Sequence, residues 1–196
     1  MQLTTDFLIL GSGIAGLSFA LRAQAHGQVI VVTKRAAAEA ATSWAQGGVA
    51  AVLSPEDSFA KHAEDTMVAG AGLCHQVVVD ICAREAPEAV QWLAETGARF
   101  SRDDDGQYEL GREGGHSERR IVHAGDISGR EIERALLDAV RASPNITLLE
   151  WHMGIDLITL SNFGGPDQCV GAYVLDERAG QVKTILSRAT VLATGG

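Results

Sequence analysis

Cysteine is scarce in this chain: Cys74, Cys82 and Cys169 are the only three among 196 residues, with no C-x-x-C pair between them. An odd count without metal-ligand spacing excludes a disulfide framework and offers no zinc site, so no metal is expected. Cys82 falls on an apolar helical stripe and reads as a core residue. Basic residues are also short, 16 Lys and Arg standing against 25 Asp and Glu for a net charge of −9. That balance is a poor footprint for nucleic acid or anionic lipid, and neither is expected as a partner. No apolar run approaches the roughly 20 residues of a membrane helix, since Phe7 to Leu10 is stopped at once by Gly11. Met1 to Asp6 lacks the basic start of a secretory signal, and a cytoplasmic location is expected. The length suits one well-buried domain with an acidic surface, two full domains being a squeeze.

Glycine, by contrast, is abundant, with 22 residues that cluster rather than scatter. Asp6 to Leu10 is a short apolar run ending in glycines, and from Ile14 the positions Leu17, Leu21 and Ala25 follow helical spacing up to Gly27. Val29 to Thr33 reads as a buried strand, so a β-α-β unit opens the chain and implies a parallel sheet with helices on its faces. Lys34 to Gly48 is a loop too long for a plain connection. Ser58 to about Gly70 reads as a helix. His75 to Thr96 repeats Val78, Cys82, Ala86, Ala89 and Leu93 as one helix face, with Pro87 expected to kink or break it. Ser128 and Glu131 form a capping box ahead of a helix with the apolar face Ile132, Leu136, Ala139 and Val140. From Ile146 the pattern turns to strands, Ile146 to Trp151, Ile155 to Leu160, Cys169 to Leu175 and Val182 to Leu186, read as an antiparallel meander flanking the sheet. A last strand, Ala189 to Ala193, runs into glycines. The fold class is therefore α/β of Rossmann type, a parallel sheet with flanking helices plus an antiparallel β-meander, and its end on a strand and two glycines reads as incomplete at the C-terminus.

Gly11-Ser12-Gly13-Ile14-Ala15-Gly16 matches G-x-G-x-x-G after a strand and at the opening of a helix. Gly11 permits the tight turn, Gly13 lets backbone approach a diphosphate, and Gly16 lets the helix pack close. The acid that usually ends the second strand and holds a ribose is missing, its place taken by Thr33-Lys34. A lysine there suits the 2′-phosphate of NADP, and equally the ribose or phosphates of FAD, so a nicotinamide reductase stays open on fold logic.

Ala41-Thr42-Ser43-Trp44-Ala45-Gln46-Gly47-Gly48 resembles the A-Q-G-G segment of the flavoprotein family of succinate dehydrogenase, fumarate reductase and L-aspartate oxidase. Glu64-Asp65-Thr66, Gly70-Ala71-Gly72, the stretch from Arg112-Glu113-Gly114-Gly115-His116-Ser117 through Arg119-Arg120 to His123-Ala124, Gly129-Arg130-Glu131 and Ala193-Thr194-Gly195-Gly196 resemble its aspartate oxidase branch in order and spacing. The resemblance covers essentially the whole chain. It implies that residues 1–196 are the N-terminal portion of an FAD-binding domain, without the family's capping domain and C-terminal helical domain. It places non-covalent FAD on Gly11 to Gly16, on Lys34, on Ala41 to Gly48, and on backbone near Met153 and Gly154. The membrane-bound members carry, at the place of Ala41, a histidine bonded covalently to the flavin; alanine makes no such bond.

The reaction implied by the resemblance is oxidation of L-aspartate to iminoaspartate, with fumarate or oxygen as acceptor and quinolinate synthase taking the product in de novo NAD synthesis. Glu113 is the residue expected to hold the substrate amine. The family's substrate-holding His and Arg residues and its Arg base would follow Gly196, so the chain alone is expected to turn over weakly or not at all. A non-catalytic flavin-binding remnant and a fumarate reductase-like flavoprotein are the alternatives. His116, Arg119, Arg120 and His123 make no strong ligand set; the arginines are expected to pair with neighbouring acids, and His116 keeps a place near the substrate pocket. His62, His75 and His152 show no recognisable partner.

Overall fold

The computed structural model describes residues 2–195. In chain order they form β1 (Gln2–Leu10), α1 (Ile14–Ala23), β2 (Val29–Thr33), β3 (Val49–Ala50), α2 (Phe59–Ala69), α3 (Gln76–Glu95), β4 (Leu110–Gly111), β5 (Ile121–Val122), α4 (Ser128–Ala142), β6 (Ile146–Glu150), β7 (His152–Thr159), β8 (Cys169–Asp176) and β9 (Gln181–Leu192). The chain divides into two compact units, one made of the stretch up to Thr42 together with Glu133 onward, the other of Ser43–Ile132.

The first unit is built on a six-stranded sheet in the order β6-β2-β1-β9-β8-β7. Strands β6, β2, β1 and β9 are parallel, and β8 and β7 continue the sheet antiparallel. Successive side chains of a strand point to opposite faces. Leu8 and Leu10 accordingly join Ile30, Val32, Ala172, Val174 and Ile185 on one face, while Ile9 joins Val29, Val31 and the α1 residues Ala20 and Ala23 on the other. Strands covered on both faces read as continuous apolar runs, which is why β1 and β2 stand out in the sequence.

Two expectations for the strand-rich end need correction. Ile146–Glu150 does not belong to the meander; it pairs parallel with β2, because the chain returns through α4 and a helical crossover brings a strand back in the same direction. The segments Val182 to Leu186 and Ala189 to Ala193 are parts of one long strand, β9, interrupted in the pattern only by the polar Ser187-Arg188. Gln181 to Leu186 pairs with β8 and Thr184 to Leu192 with β1, so one strand joins the antiparallel part of the sheet to the parallel part.

The second unit holds α2, α3 and a small sheet in the order β3-β5-β4. Ser58 caps α2 by accepting a hydrogen bond from the Lys61 N–H. The buried face of α3 is Val79, Ala83, Val90 and Leu93, turned from the expected stripe so that Val78 and Cys82 are exposed; Cys82 is not a core residue. Pro87 lies inside a continuous helix rather than ending it. A proline removes one i to i−4 bond, and the buried anchors on both sides of it keep α3 seated. The capping-box residues bond outward, the Ser128 hydroxyl accepting from the Ala124 N–H and the Glu131 carboxylate from the Arg99 N–H. Among the described residues no helix is long and apolar enough to cross a membrane.

Candidate functional site

In the first unit, β1 stops at Leu10 and the chain turns sharply at Gly11, whose φ is +119°. A Cβ on Gly11 would lie 2.1 Å from the Ala193 carbonyl oxygen, and one on Gly16 would lie 2.0 Å from the Gly11 carbonyl oxygen. Both glycines are therefore demanded by the chain itself, the first by β9 and the second by the turn it packs on. Gly13 differs: a Cβ there meets only the Thr42 Oγ1, at 3.5 Å. Nothing among the described residues requires glycine at that position, so its bare backbone serves approach from outside. Gly13 caps α1 without a side chain, and the Thr42 hydroxyl accepts the Ile14 N–H at 3.0 Å. The other first-turn N–H groups of a helix have no intrahelical partner, and with the helix dipole they make a seat for an anion.

Over this turn lies a cavity of about 530 Å³, bordered by Gly11, Ser12, Gly13, Lys34, Ala41, Met153 and Gly154, together with Arg35 and Thr194. Hydrogen bonds fix the segments that border it. The Ser12 hydroxyl donates to the Ala37 carbonyl, and the Glu150 carboxylate accepts the Ala37 N–H at 2.7 Å, fixing the loop after β2. His152 is buried beside Met153. The Lys183 ammonium donates to its Nε2 at 2.8 Å, so Nδ1 carries the proton and donates to the Glu150 carbonyl. Lys183 also pairs with Asp176 at 2.9 Å and, with the Ala179 N–H, holds that carboxyl down at about 2. No partner of His152 is legible near it in the chain, because Lys183 and Asp176 come from other strands. The cavity fits a dinucleotide: cationic side chains at the end of β2, a helix N-terminus and a glycine with no Cβ face one space.

The second unit brings together the A-Q-G-G and R-E-G-G-H segments. A Cβ on Gly48 would lie 2.2 Å from the Val122 carbonyl oxygen, so β5 dictates that glycine. A Cβ on Gly47 would lie 3.3 Å from Glu113 Oε2, so the carboxylate sits directly over Gly47. Trp44, Ala45 and Gln46, just before these glycines, are exposed. Glu113 opens a β-turn in which its carbonyl accepts the His116 N–H and Gly115, at φ +87°, takes the conformation the turn needs. Arg112 Nε closes the loop on the His116 carbonyl at 2.9 Å.

Beneath that loop Arg120 pairs with acids, as expected, although with acids distant in sequence. Arg120 is fully buried and grips Asp57 with two bonds, Nε to Oδ2 at 2.8 Å and Nη2 to Oδ1 at 2.9 Å. Its Nη1 bonds Asp65 at 2.6 Å and His116 Nδ1 at 3.3 Å. A guanidinium only donates, so His116 accepts at Nδ1 and keeps its proton on Nε2. Asp65 also accepts from the Ser117 N–H and hydroxyl, at 2.7 and 2.8 Å. Partial burial pushes Asp65 up, but these three partners outweigh it and hold the carboxyl at about 2. Burial likewise works against Arg120 and Asp57, and each still keeps its charge through the other, Arg120 raised and Asp57 lowered. Burial, then the Arg120 charge, depresses His62, whose Nδ1 has no partner among the described residues. Arg120 thus pairs with acids far from it in sequence, while Arg119 donates to the Leu110 carbonyl. Gly196, the last residue of the A-T-G-G segment, lies outside the described residues.

A G-x-G-x-x-G turn between parallel strands, under a cavity with cations at the second strand's end, defines a dinucleotide-binding α/β protein of Rossmann type. The chain belongs to the FAD binding domain family, which matches residues 6–196. Its cofactor is FAD, and the nicotinamide alternative left open by Lys34 gives way. The chain is 48% identical over 194 residues to L-aspartate oxidase 1 of Ralstonia nicotianae, covering 97% of this chain and 36% of that protein. It is 47% identical over 197 residues to L-aspartate oxidase of Vibrio cholerae, covering 97% and 37%. Among solved structures it resembles a variant of E. coli quinol fumarate reductase FrdA, with a TM-score of 0.92 and 30% identity over 100% of this chain and 33% of that one. The chain spans about a third of the length of the curated relatives it matches.

Proposed function

We propose that this chain is the flavin-binding part of an L-aspartate oxidase, converting L-aspartate to iminoaspartate with fumarate or oxygen as final acceptor. FAD, when bound, supplies the acceptor for the hydrogen leaving the substrate's α-carbon. The chain's own residues bind and orient. Backbone from Gly11 to Gly16 receives the diphosphate at the start of α1, with Lys34 beside the ribose and phosphates. Ala41 to Gly48, Met153 and Gly154 frame the rest through backbone and small side chains. Glu113 takes the substrate's ammonium, and a carboxylate in that role separates aspartate from dicarboxylates that lack nitrogen.

The observation that carries this reading is the Glu113 carboxylate lying over Gly47, which puts the acid of one segment against a glycine of the other. Its test is Glu113→Gln in a protein of the relatives' length carrying this segment. A charged hydrogen bond is worth about 1.5–3 kcal/mol, so aspartate oxidation should fall about 10- to 100-fold further than fumarate reduction. Equal loss of both activities refutes the role and favours the fumarate reductase-like reading that the likeness to FrdA supports. A cytoplasmic site of action, and delivery of iminoaspartate to quinolinate synthase, complete the proposal.

A further inference from the structure

Glu133 is the anomaly of the first unit. It lies on α4 in a row of apolar residues, it is 2% exposed, and neither carboxyl oxygen has a hydrogen-bond partner among the described residues. Buried polar groups are almost always satisfied, so an orphaned carboxyl needs a reason. The Thr42 hydroxyl is the polar group that bears on it, although it makes no well-formed hydrogen bond to either oxygen. Thr42 in turn accepts the Ile14 N–H at 3.0 Å and stands 3.5 Å from the place of a Cβ on Gly13. A short path of polar groups therefore runs from Glu133 to the first turn of α1. The Thr42 oxygen is occupied by the Ile14 N–H, which leaves its hydrogen free to turn toward Glu133.

We propose that Glu133 is a positioning residue for the FAD diphosphate: neutral, it leaves the anion seat of α1 undisturbed through Thr42, and ionised, it sets a buried negative charge behind that seat and opposes the diphosphate. The inference rests on the proposed placing of the diphosphate over Gly11 to Gly16. Burial pushes the Glu133 carboxyl up to about 7, and Thr42 pulls it only partly back. Burial and the Thr42 hydroxyl are the influences that set its charge. The switch therefore falls in the neutral range, and FAD binding and proton binding at Glu133 reinforce each other.

The test is FAD titration of the purified protein, followed by quenching of flavin fluorescence from pH 6 to pH 9. The dissociation constant is expected to rise about tenfold across that range, the equivalent of one pKa unit of coupling. Glu133→Gln, and Glu133→Met as a second neutral replacement, should bind as tightly as the parent at pH 6 and show no such rise. Calorimetry of the parent protein near pH 7.5 in buffers of different ionisation enthalpy should show net proton uptake on binding FAD. A parent affinity that is flat with pH, equal slopes in parent and variants, or binding without proton uptake would each overturn the inference. Failure of FAD to bind at any pH would instead remove the diphosphate placement on which it stands.

Discussion

The two units of this chain bury charge in opposite ways. In the second, Arg120 disappears completely from solvent but carries Asp57, Asp65 and His116 with it, and every guanidinium nitrogen is bonded. In the first, Glu133 is almost as deeply buried and neither carboxyl oxygen makes a well-formed hydrogen bond among the described residues. The paired ions stay ionised and act as a fixed brace beneath the loop of Glu113. The solitary acid escapes its desolvation by holding its proton, which makes it responsive to pH. Burial alone thus says little about a charged group's role, and its partners decide between scaffold and switch.

The sharpest way to break the comparison is to remove the brace. Arg120→Met leaves Asp57, whose side chain is 1% exposed, buried without a counter-charge. Losing one partner of a buried ion pair costs about 3–5 kcal/mol, and urea unfolding should show a loss of that size. A loss below about 1 kcal/mol would mean that the cluster is no firmer than a surface pair.

A smaller effect sharpens the other side. Glu133 has its ordinary value of 4.5 when unfolded and about 7 when folded, so between those values the native state holds a proton that the unfolded chain has released. Its contribution is whole below 4.5 and is lost as the pH rises to about 7. Stability should fall across that window by about 1.4 kcal/mol per pH unit, and Glu133→Gln should flatten the fall. Asp65 works in the opposite sense and far to the acid side, its contribution being present above 3.8 and lost as the pH drops toward 2. The smallest effect is expected at the exposed Cys82. Cys82→Ser should stay within about 0.5 kcal/mol of the parent in thermal unfolding, whereas a core cysteine would cost more.

The first unit's cradle was legible because backbone built it. Gly11 and Gly16 are forced by contacts within the chain, and such constraints leave a mark at fixed spacing. The A-Q-G-G and R-E-G-G-H segments were legible as motifs, although their meeting at Gly47 and Glu113 was not. The brace was hidden because Asp57 and Asp65 lie 63 and 55 residues from Arg120, and no local pattern links them. Arg35 and Thr194 at the cavity could have been found as immediate neighbours of Lys34 and of the final glycines. Cys82 was misplaced because a helix rich in apolar residues offers two stripes a step apart, and packing chose the one through Val79 and Ala83. Glu133 had a signal: a glutamate between Ile132 and Ala135 on the apolar face of α4 is out of place in any amphipathic pattern.

The central claim is that the glycine turn before α1 seats the diphosphate of FAD. Its most direct test is competition, with FAD titrated into the protein alone and in excess NADP⁺ while flavin absorbance and fluorescence are read. A single FAD per chain, undisturbed by the nicotinamide and weakened in Gly13→Val, is the expected result. Displacement of flavin by NADP⁺, or parental affinity in Gly13→Val, would contradict the account.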